Sequence, residues 1–181
     1  VSQIQYGPRR VVENIVIDLA ENEDFESAKA YRSAEIASLD RNEIIKCLLK
    51  GNLFPFLRQR PFNKVVNHND VPRDIFISGL NTGPLSVDLD VALRRRLSPF
   101  QAGVNVLKIL TSGNVHLSYN KNTVSDTLLE VENVNHHLLS GPHPIGNVGI
   151  QIHHIAPLSI NDIIWTINAQ DVVRIGNYFL T

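Results

Sequence analysis

The sequence is poor in sulfur and has no long apolar run. It contains one cysteine, Cys47, and no methionine, which excludes an internal disulfide and a cysteine-ligated metal cluster. No stretch approaches the run of about 20 apolar residues that a membrane-spanning helix requires, so any membrane contact is expected to go through partners. The first residues, VSQIQYGPRR, lack the apolar centre of a signal peptide. We therefore expect a fragment of a longer chain that works in a reducing, cytoplasmic setting.

Neither sign of charge dominates the chain. The formal net charge is −1, which gives no support to a nucleic-acid or anionic-membrane binder. One local basic run, Arg94 to Arg96, is interpreted as a solvated helix face, with docking of an acidic partner or of the lipid surface beside one as the alternative. Hydrophobic residues make up 43% of the 181 positions. That content predicts one domain with a buried core and leaves room for part of a second.

The hydrophobic pattern predicts alternating strands and helices. Strands rich in apolar and β-branched residues are predicted at 11–19, 74–78, 115–119, 134–139 and 163–167. Helices are predicted from Asp40 to Gly51, from Ser98 through Pro99 and Gln101 to Gly113, and from Asn168 and Asp171 onward, with weaker candidates at 20–38 and 88–97. The stretch LFPFLRQRPF is predicted to be irregular because of its prolines and arginines.

This order favours an α/β fold with a doubly wound, mostly parallel sheet and helices on both faces. Ligands of such sheets bind beyond the carboxyl ends of the strands. The loop 79–85, the stretch after Tyr119 and the segment 167–171 each follow a predicted strand. They are the first places where we expect a binding site.

Five segments stand out, which are in chain order LFPFLRQRPFNK, PRDIFISGLNTGPL, FQAGVNVLKILTSGNVHLS, GPHPIGNVGIQIHH and IIWTINAQDVVRIGNYFLT. They resemble successive stretches of one known family, NqrA, whose members are the A subunits of the sodium-translocating NADH:quinone reductases. The resemblance runs from about residue 40 to 181, whereas residues 1–39 match only loosely. It implies a Rossmann-like domain at 40–181, preceded at 1–39 by the exit strand of a truncated N-terminal domain and a connecting segment.

The resemblance also implies a function and a location. The family belongs to a sodium-pumping, ubiquinone-reducing respiratory complex, which takes electrons from NADH at the cytoplasmic side of the bacterial inner membrane. The chain would be a peripheral part of that enzyme, with the rest of the complex as its partner and above all a membrane subunit. Catalysis would belong to the complex, and the isolated fragment is expected to be inactive, with no catalytic residue of its own.

The segment 51–64, GNLFPFLRQRPFNK, bears on the cofactor. More distantly the family resembles the FMN-binding subunit of respiratory complex I and the C subunit of the Rnf complex, in which a glycine-rich loop stands at this place. Glycines let backbone N–H groups approach a phosphate closely, but here Gly51 is the only glycine of the segment. We therefore predict no bound FMN and no cofactor in this chain. Arg58 and Arg60 are interpreted as solvated or carboxylate-paired, with a residual anion site as the alternative.

Seven histidines are present, but their spacing does not favour a metal site. His136–His137 and His153–His154 are sequence neighbours, and neighbours diverge on a strand or a helix, so no metal ligands are predicted. The loop 141–149, GPHPIGNVG, contains His143 and Pro144 and lies just before His153 and His154. It is interpreted as a structural loop. The alternative is one wall of a site for a quinone or for a partner, whose candidate residues are His143, Pro144, His153, His154, Arg58 and Arg60.

The remaining candidates have simpler interpretations. Trp165 is predicted to be in the core, and Cys47 half-buried and inert. Asp88 and Asp90 would point apart on a helix, so no acid–base pair is expected. Two other functions remain open at this stage. One is a flavin-binding NADH dehydrogenase module, which a flavin spectrum would reveal, and the other is a metal-dependent hydrolase, which elemental analysis would reveal.

Overall fold

The computed structural model describes residues 2–19, 21 and 27–181. A two-stranded antiparallel hairpin, β1 and β2, comes first, and a six-stranded sheet forms the centre of the domain. The strands are β1 (Gln3–Tyr6), β2 (Val12–Val16), β3 (Arg58–Arg60), β4 (Lys64–Val65), β5 (Asp74–Gly79), β6 (Val115–Asn120), β7 (Asn135–Leu139) and β8 (Ile164–Asn168). All five predicted strands are confirmed.

The central sheet is mostly parallel, as predicted. Its strand order is β4-β3-β8-β5-β6-β7. Strands β8, β5, β6 and β7 run parallel, whereas β3 lies antiparallel to both β8 and β4. The carboxyl ends of the four parallel strands therefore meet at one edge of the sheet.

Seven α-helices connect or follow these strands in the described part of the chain. They are α1 (Ser33–Ile36), α2 (Arg41–Lys50), α3 (Leu89–Ala92), α4 (Leu97–Leu110), α5 (Asp126–Leu129), α6 (Val148–Ile155) and α7 (Ala169–Leu180). Asp40 caps α2 as predicted, because its carboxylate accepts the backbone N–H groups of Asn42 and Glu43. Of the helix considered for 20–38, only α1 is observed, and residues 20 and 22–26 lie outside the described ones.

The main hydrophobic core lies on the face of the sheet that α4 and α7 cover. Alternate residues of the strands point to this face, among them Ile75, Ile77 and the fully buried Trp165. From α7 the predicted inward residues, Val172, Ile175 and Phe179, are all buried there. Trp165 is thus confirmed as a core residue.

The opposite face of the sheet is covered by α6 and has a much smaller apolar cluster. Phe76 of β5, Ile164 of β8 and Ile152 of α6 are its buried members. Next to this cluster the face is polar, because Arg58, Arg60 and Thr166 line a cavity against the start of α6. The fold thus has one closed hydrophobic face and one partly open polar face.

Four local predictions were wrong. Residues 58–60 form a strand rather than an irregular segment, because β8 provides the hydrogen-bonding partners. Residues 148–155 form α6, which the glycines and prolines upstream concealed. Helix α4 begins at Leu97 without a side-chain cap and ends at Leu110, so Ser98 and Pro99 lie inside its first turn.

The fourth error concerns the basic run. Arg94, Arg95 and Arg96 are exposed as predicted, but they lie in the link between α3 and α4 rather than on a helix face. Arg95 even takes a positive φ of 58°, which a helix does not allow.

The described residues include no helix with the length and apolar character needed to cross a bilayer.

Candidate functional site

A large cavity with a volume of about 580 Å³ lies at the carboxyl edge of the sheet, on the α6 side. Its walls come from the loop after β5, the end of β8, the first turns of α6 and α7, and Arg60. A second cavity of about 330 Å³ adjoins the loops after β5 and β6 and includes Asp88, Asp90 and Thr123. The three segments that the sequence singled out therefore all border a cavity.

Arg58 and Arg60 reach this edge from β3. Because residues two apart on a strand share a face, both side chains lie on the α6 side, while Gln59 between them is buried on the other. Both line a small cavity of about 210 Å³, and Arg60 also lines the large one. Within the described chain neither guanidinium forms an ion pair, and the Nε of Arg60 is buried without a hydrogen-bond partner. Burial lowers the pKa of Arg60. The predicted carboxylate pairing is thus not observed among the described residues.

The loop 141–149 packs against the loop that follows β5. The hydroxyl oxygen of Thr82 lies 3.1 Å from Nδ1 of His143 and accepts the backbone N–H of Gly146 at 3.2 Å. Gly146 is needed there, because a Cβ would lie 2.5 Å from the backbone nitrogen of Thr82. The backbone carbonyl of Pro144 accepts the N–H of Asn147, which directly precedes α6. This loop therefore sets the position at which α6 begins beside the cavity.

The four remaining residues of the predicted site divide into two groups. His143 and Pro144 are exposed at the rim, next to the cavity-lining Gly146. His153 and His154 are exposed near the far end of α6, with ring centroids 5.4 Å apart, and they line none of the three cavities. The structure therefore brings Arg60 to the large cavity and Arg58 to the small one beside it. It leaves His143 and Pro144 at the edge of the large cavity and separates His153 and His154 from it.

The sequence did not reveal a row of polar side chains, Asp74, His116 and His137, on the same face of the sheet. Nδ1 of His116 lies 2.9 Å from Nε2 of His137, and Nε2 of His116 lies 3.7 Å from Oδ1 of Asp74. The ring of His116 also stacks on Phe76, with centroids 4.5 Å apart. Alternate residues of neighbouring parallel strands share a face, and this pattern could have revealed the three polar side chains. It can be used only when the pairing register of the strands is known.

The side chains of His136 and His137 point in different directions, as predicted for residues that are adjacent in the sequence. His137 faces His116, whereas His136 lies 3.3 Å from the hydroxyl of Tyr119 and 3.0 Å from the carbonyl oxygen of Val131. Within the described ranges, no three or more His, Cys, Asp or Glu side chains are grouped to hold a metal ion. Cys47 is half-buried as predicted, with its sulfur 3.6 Å from the hydroxyl of Tyr31.

We expect the histidine pair to make the domain less stable in mild acid. Burial is the largest cause that lowers the pKa of His116 and of His137, and the neighbouring imidazole adds to it in each case. Since the unfolded chain then binds more protons than the native one, stability is complete above the ordinary histidine pKa of 6.5 and falls as the pH drops below it. The expected slope is up to about 1.4 kcal/mol per pH unit for each extra proton. Urea unfolding at a series of pH values measures it.

The variant His116→Phe should flatten that pH dependence while keeping the ring that stacks on Phe76. The matched control is His153→Phe, which changes an exposed imidazole and should leave the slope unaltered. If stability depended on pH equally in the wild type and in His116→Phe, the pH dependence could not be assigned to the histidine pair. The charged groups that face the pair are Asp74 and Arg73 at His116 and His136 at His137, and none of the three is altered in either variant.

Comparison with known proteins identifies the family. Residues 39–181 match the family described as NqrA second alpha/beta domain. The chain is 38% identical over 179 residues to the A subunit of the Na(+)-translocating NADH-quinone reductase of Saccharophagus degradans, covering 99% of this chain and 40% of that protein. Identity to the same protein is 35% in Alcanivorax borkumensis and 32% in Vibrio atlanticus, again covering 40% of each relative. These matches confirm the resemblance seen in the sequence: the chain belongs to the NqrA family of Na(+)-translocating NADH-quinone reductases, and residues 39–181 correspond to its second α/β domain.

Proposed function

We propose that this chain is a domain of the NqrA component of a sodium-translocating NADH:quinone reductase, that it binds no redox cofactor itself, and that it contributes to assembly and to a quinone or partner site. The observation that carries the proposal is the match to the family over residues 39–181. The relatives are named as subunits of an NADH-quinone reductase that translocates Na(+). Electron transfer from NADH to ubiquinone and sodium transport would then be activities of the whole complex.

The absence of a flavin is proposed from the structure of segment 51–64. The segment enters the core through Phe54 and Leu57, which are 6% and 0% exposed, and then forms β3. Its one glycine, Gly51, faces the ring of Tyr178, where a Cβ would lie at 2.7 Å. The segment contributes side chains to the core and hydrogen bonds to the sheet, so it does not offer the free backbone N–H groups that hold a phosphate.

An assembly role is proposed from the hairpin of β1 and β2. Apolar side chains on both of its faces are exposed, including Tyr6, Val11, Ile15 and Ile17 at 57–62%. An isolated two-stranded hairpin is at best marginally stable in water. We propose that other parts of the full-length protein or neighbouring subunits cover it, and that the assembled domain lies at the cytoplasmic side of the bacterial inner membrane, peripheral to a membrane subunit.

A quinone or partner site is proposed at the rim of the large cavity, where loop 141–149 meets the loop after β5. An exposed imidazole at His143, held by Thr82, offers a hydrogen bond to a quinone carbonyl or to a side chain of a partner. Val87 and Leu89 provide the apolar part of the neighbouring wall. The structure favours His143 and Pro144 over His153 and His154 for this role, because only the first two lie at the rim.

Two measurements on the full-length protein and on its complex test the proposal. The full-length protein purified alone should show no flavin absorbance, and it should co-purify with a membrane subunit when the complex is expressed. A flavin bound in equimolar amount, and cross-linked to residues 53–59, would contradict the cofactor-free assignment. Failure to assemble with any other subunit would contradict the assembly role.

Photo-labelling of the intact complex with a quinone analogue tests the rim. Label should appear within 141–149 and should decrease when His143 is replaced by alanine. The control His153→Ala removes an exposed imidazole away from the cavities and should label like the wild type. Label confined to other subunits would end the quinone part of the proposal.

A further inference from the structure

Arg60 has no counter-charge in the described part of the chain. Its side chain is half-buried, its Nε is shielded from solvent without a hydrogen bond, and no described carboxylate forms an ion pair with it. Taking a cation even partly out of water without a partner is unfavourable. A side chain that stays in such a place is one that an anion would stabilise.

The two cavities that Arg60 borders contain no negative charge in their walls. Arg60 is the only charged residue among those that line the cavity of about 580 Å³. The adjoining cavity of about 210 Å³ adds Arg58 and again no carboxylate. An anion entering here would therefore meet two guanidinium groups and no opposing charge from the walls.

Two helices begin at the same cavity. Asn147 and Val148 at the start of α6, and Asn168 and Gln170 at the start of α7, line it. Neither N-cap, Asn147 or Asn168, caps its helix through its side chain. In α7 the Asn168 amide donates instead to Asp171, a carboxylate of the first turn, whereas the first turn of α6 contains no acidic residue. The start of α6 is therefore equivalent to roughly half a positive charge, and that of α7 is offset by Asp171.

We propose that this cavity binds the phosphoryl group of a small phosphorylated molecule, held by Arg60 and by the first turn of α6. One guanidinium and the start of α6 together provide about one and a half positive charges, and Arg58 lies in the adjoining cavity; this matches the charge of about −1.5 to −2 on a phosphate monoester near neutral pH. A carboxylate would leave part of that positive charge without a partner. The volume of about 580 Å³ is within the range of small-molecule sites and exceeds the space that a phosphate ion alone requires.

This site differs from the one missing in segment 51–64. There a glycine-rich loop would have to surround the phosphate of a flavin, whereas here a side chain and the start of α6 face an existing cavity. Gly149, in the first turn of α6, has open space on its Cβ side, so the backbone is approachable without rearrangement. The site does not depend on quinone binding at the rim.

The test uses the full-length protein with inorganic phosphate in one arm and adenosine monophosphate in the other. Calorimetric titration and thermal unfolding are compared with sodium chloride at the same ionic strength. Saturable binding is expected, together with a rise in Tm that levels off. Arg60→Gln should weaken the binding at least tenfold, about the effect of losing one hydrogen bond to a charged group. Arg95→Gln, which changes an exposed arginine elsewhere, should bind like the wild type.

The two arms also distinguish the sources of the phosphoryl group. Tighter binding of the nucleotide, in competition with phosphate, would identify a phosphorylated metabolite, whereas equal binding would identify free phosphate. Phosphate also stabilises proteins non-specifically by exclusion from their surface. An unsaturable rise in Tm, or an equal rise in wild type and Arg60→Gln, would therefore overturn the proposal.

The stability without ligand gives a second readout. A purely structural arginine contributes to the native state, so its replacement lowers Tm. Without a bound anion Arg60 is a half-buried cation with no partner among the described residues, so Arg60→Gln should have a Tm equal to or above that of the wild type in chloride. A clear fall in Tm without ligand would assign Arg60 a structural role and would also overturn the proposal.

Discussion

Replacing Gly176 by alanine should destabilise the domain by about 3 kcal/mol or more, at the upper end of overpacking effects. Helices α4 and α7 pack together on the main hydrophobic face, and their backbones approach each other closely at this glycine. A Cβ at Gly176 would lie 1.7 Å from the carbonyl oxygen of Pro99 and 2.9 Å from the backbone nitrogen of Gly103. Because both neighbours are backbone atoms, no side-chain rotation relieves the clash and the helices must separate. Urea unfolding followed by far-UV circular dichroism measures the loss.

The matched control is the same substitution at Gly149 in α6. There a Cβ meets no atom within 4 Å, and alanine favours a helix over glycine by about 1 kcal/mol. Gly149→Ala is therefore expected to be neutral or stabilising. If both variants lost similar stability, the explanation would lie in the unfolded chain rather than in the crossing of α4 and α7. If Gly176→Ala unfolded like the wild type, the close crossing itself would be wrong.

The parallel centre of the sheet could be predicted from the sequence because its strands are buried on both faces. Buried strands such as β5 and β8 are nearly continuous apolar runs, and such runs are visible without knowledge of the fold. Helix α7 was equally clear, because its buried residues repeat at helical spacing. The family resemblance carried the assignment further than these patterns could.

The elements that were missed depend on contacts between distant parts of the chain. Strand β3 has three residues, two of them arginines, and it is a strand because β8 pairs with it. Helix α6 follows a loop with two prolines and buries only Gln151 and Ile152. Its start is fixed by the contacts of Gly146 and His143 with Thr82. Local propensity does not report such tertiary effects.

The sequence predicted where the candidate site lies but not which residues form it. Loops at the carboxyl ends of parallel strands are predictable from the order of elements. That Arg60 points to the cavity without a partner follows from the pairing of β3 with β8, which sequence spacing does not show. His153 and His154 were grouped with His143 because they are near in sequence, but the length of α6 separates them from the rim.

Replacing Asp74 by alanine should lower the free energy of unfolding by about 3 kcal/mol at neutral pH, because it leaves polar partners without hydrogen bonds at the start of β5. Asp74 is 7% exposed. Its carboxylate accepts the backbone N–H of Asn114 at 2.9 Å and the Nε–H of Arg73 at 2.7 Å. Arg73 also pairs with Asp162 and donates to the carbonyl oxygen of Ala156. Asp74 therefore joins β5, the start of β6 and the segment before β8, and the loss should appear as a lower urea midpoint.

Asp171 provides the control, because it is equally buried at 7% exposure but less connected. Its partners are Arg174, a largely exposed side chain at 3.1 Å, and the side-chain amide of Asn168, so Asp171→Ala should lower the free energy of unfolding by only about 1 kcal/mol.

The contribution of the Asp74 charge should also depend on pH, and the variant Asp74→Asn tests this. Burial alone would raise the pKa of Asp74, but the Asn114 N–H, Arg73 and His116 together hold it below the ordinary 3.8. A lowered carboxyl pKa stabilises the fold above that value and ceases to do so as the pH falls through it. The difference in the free energy of unfolding between wild type and Asp74→Asn should therefore be largest near neutral pH and should decrease below about pH 4. If this difference were the same in acid as at neutral pH, the charge of Asp74 would contribute nothing to stability.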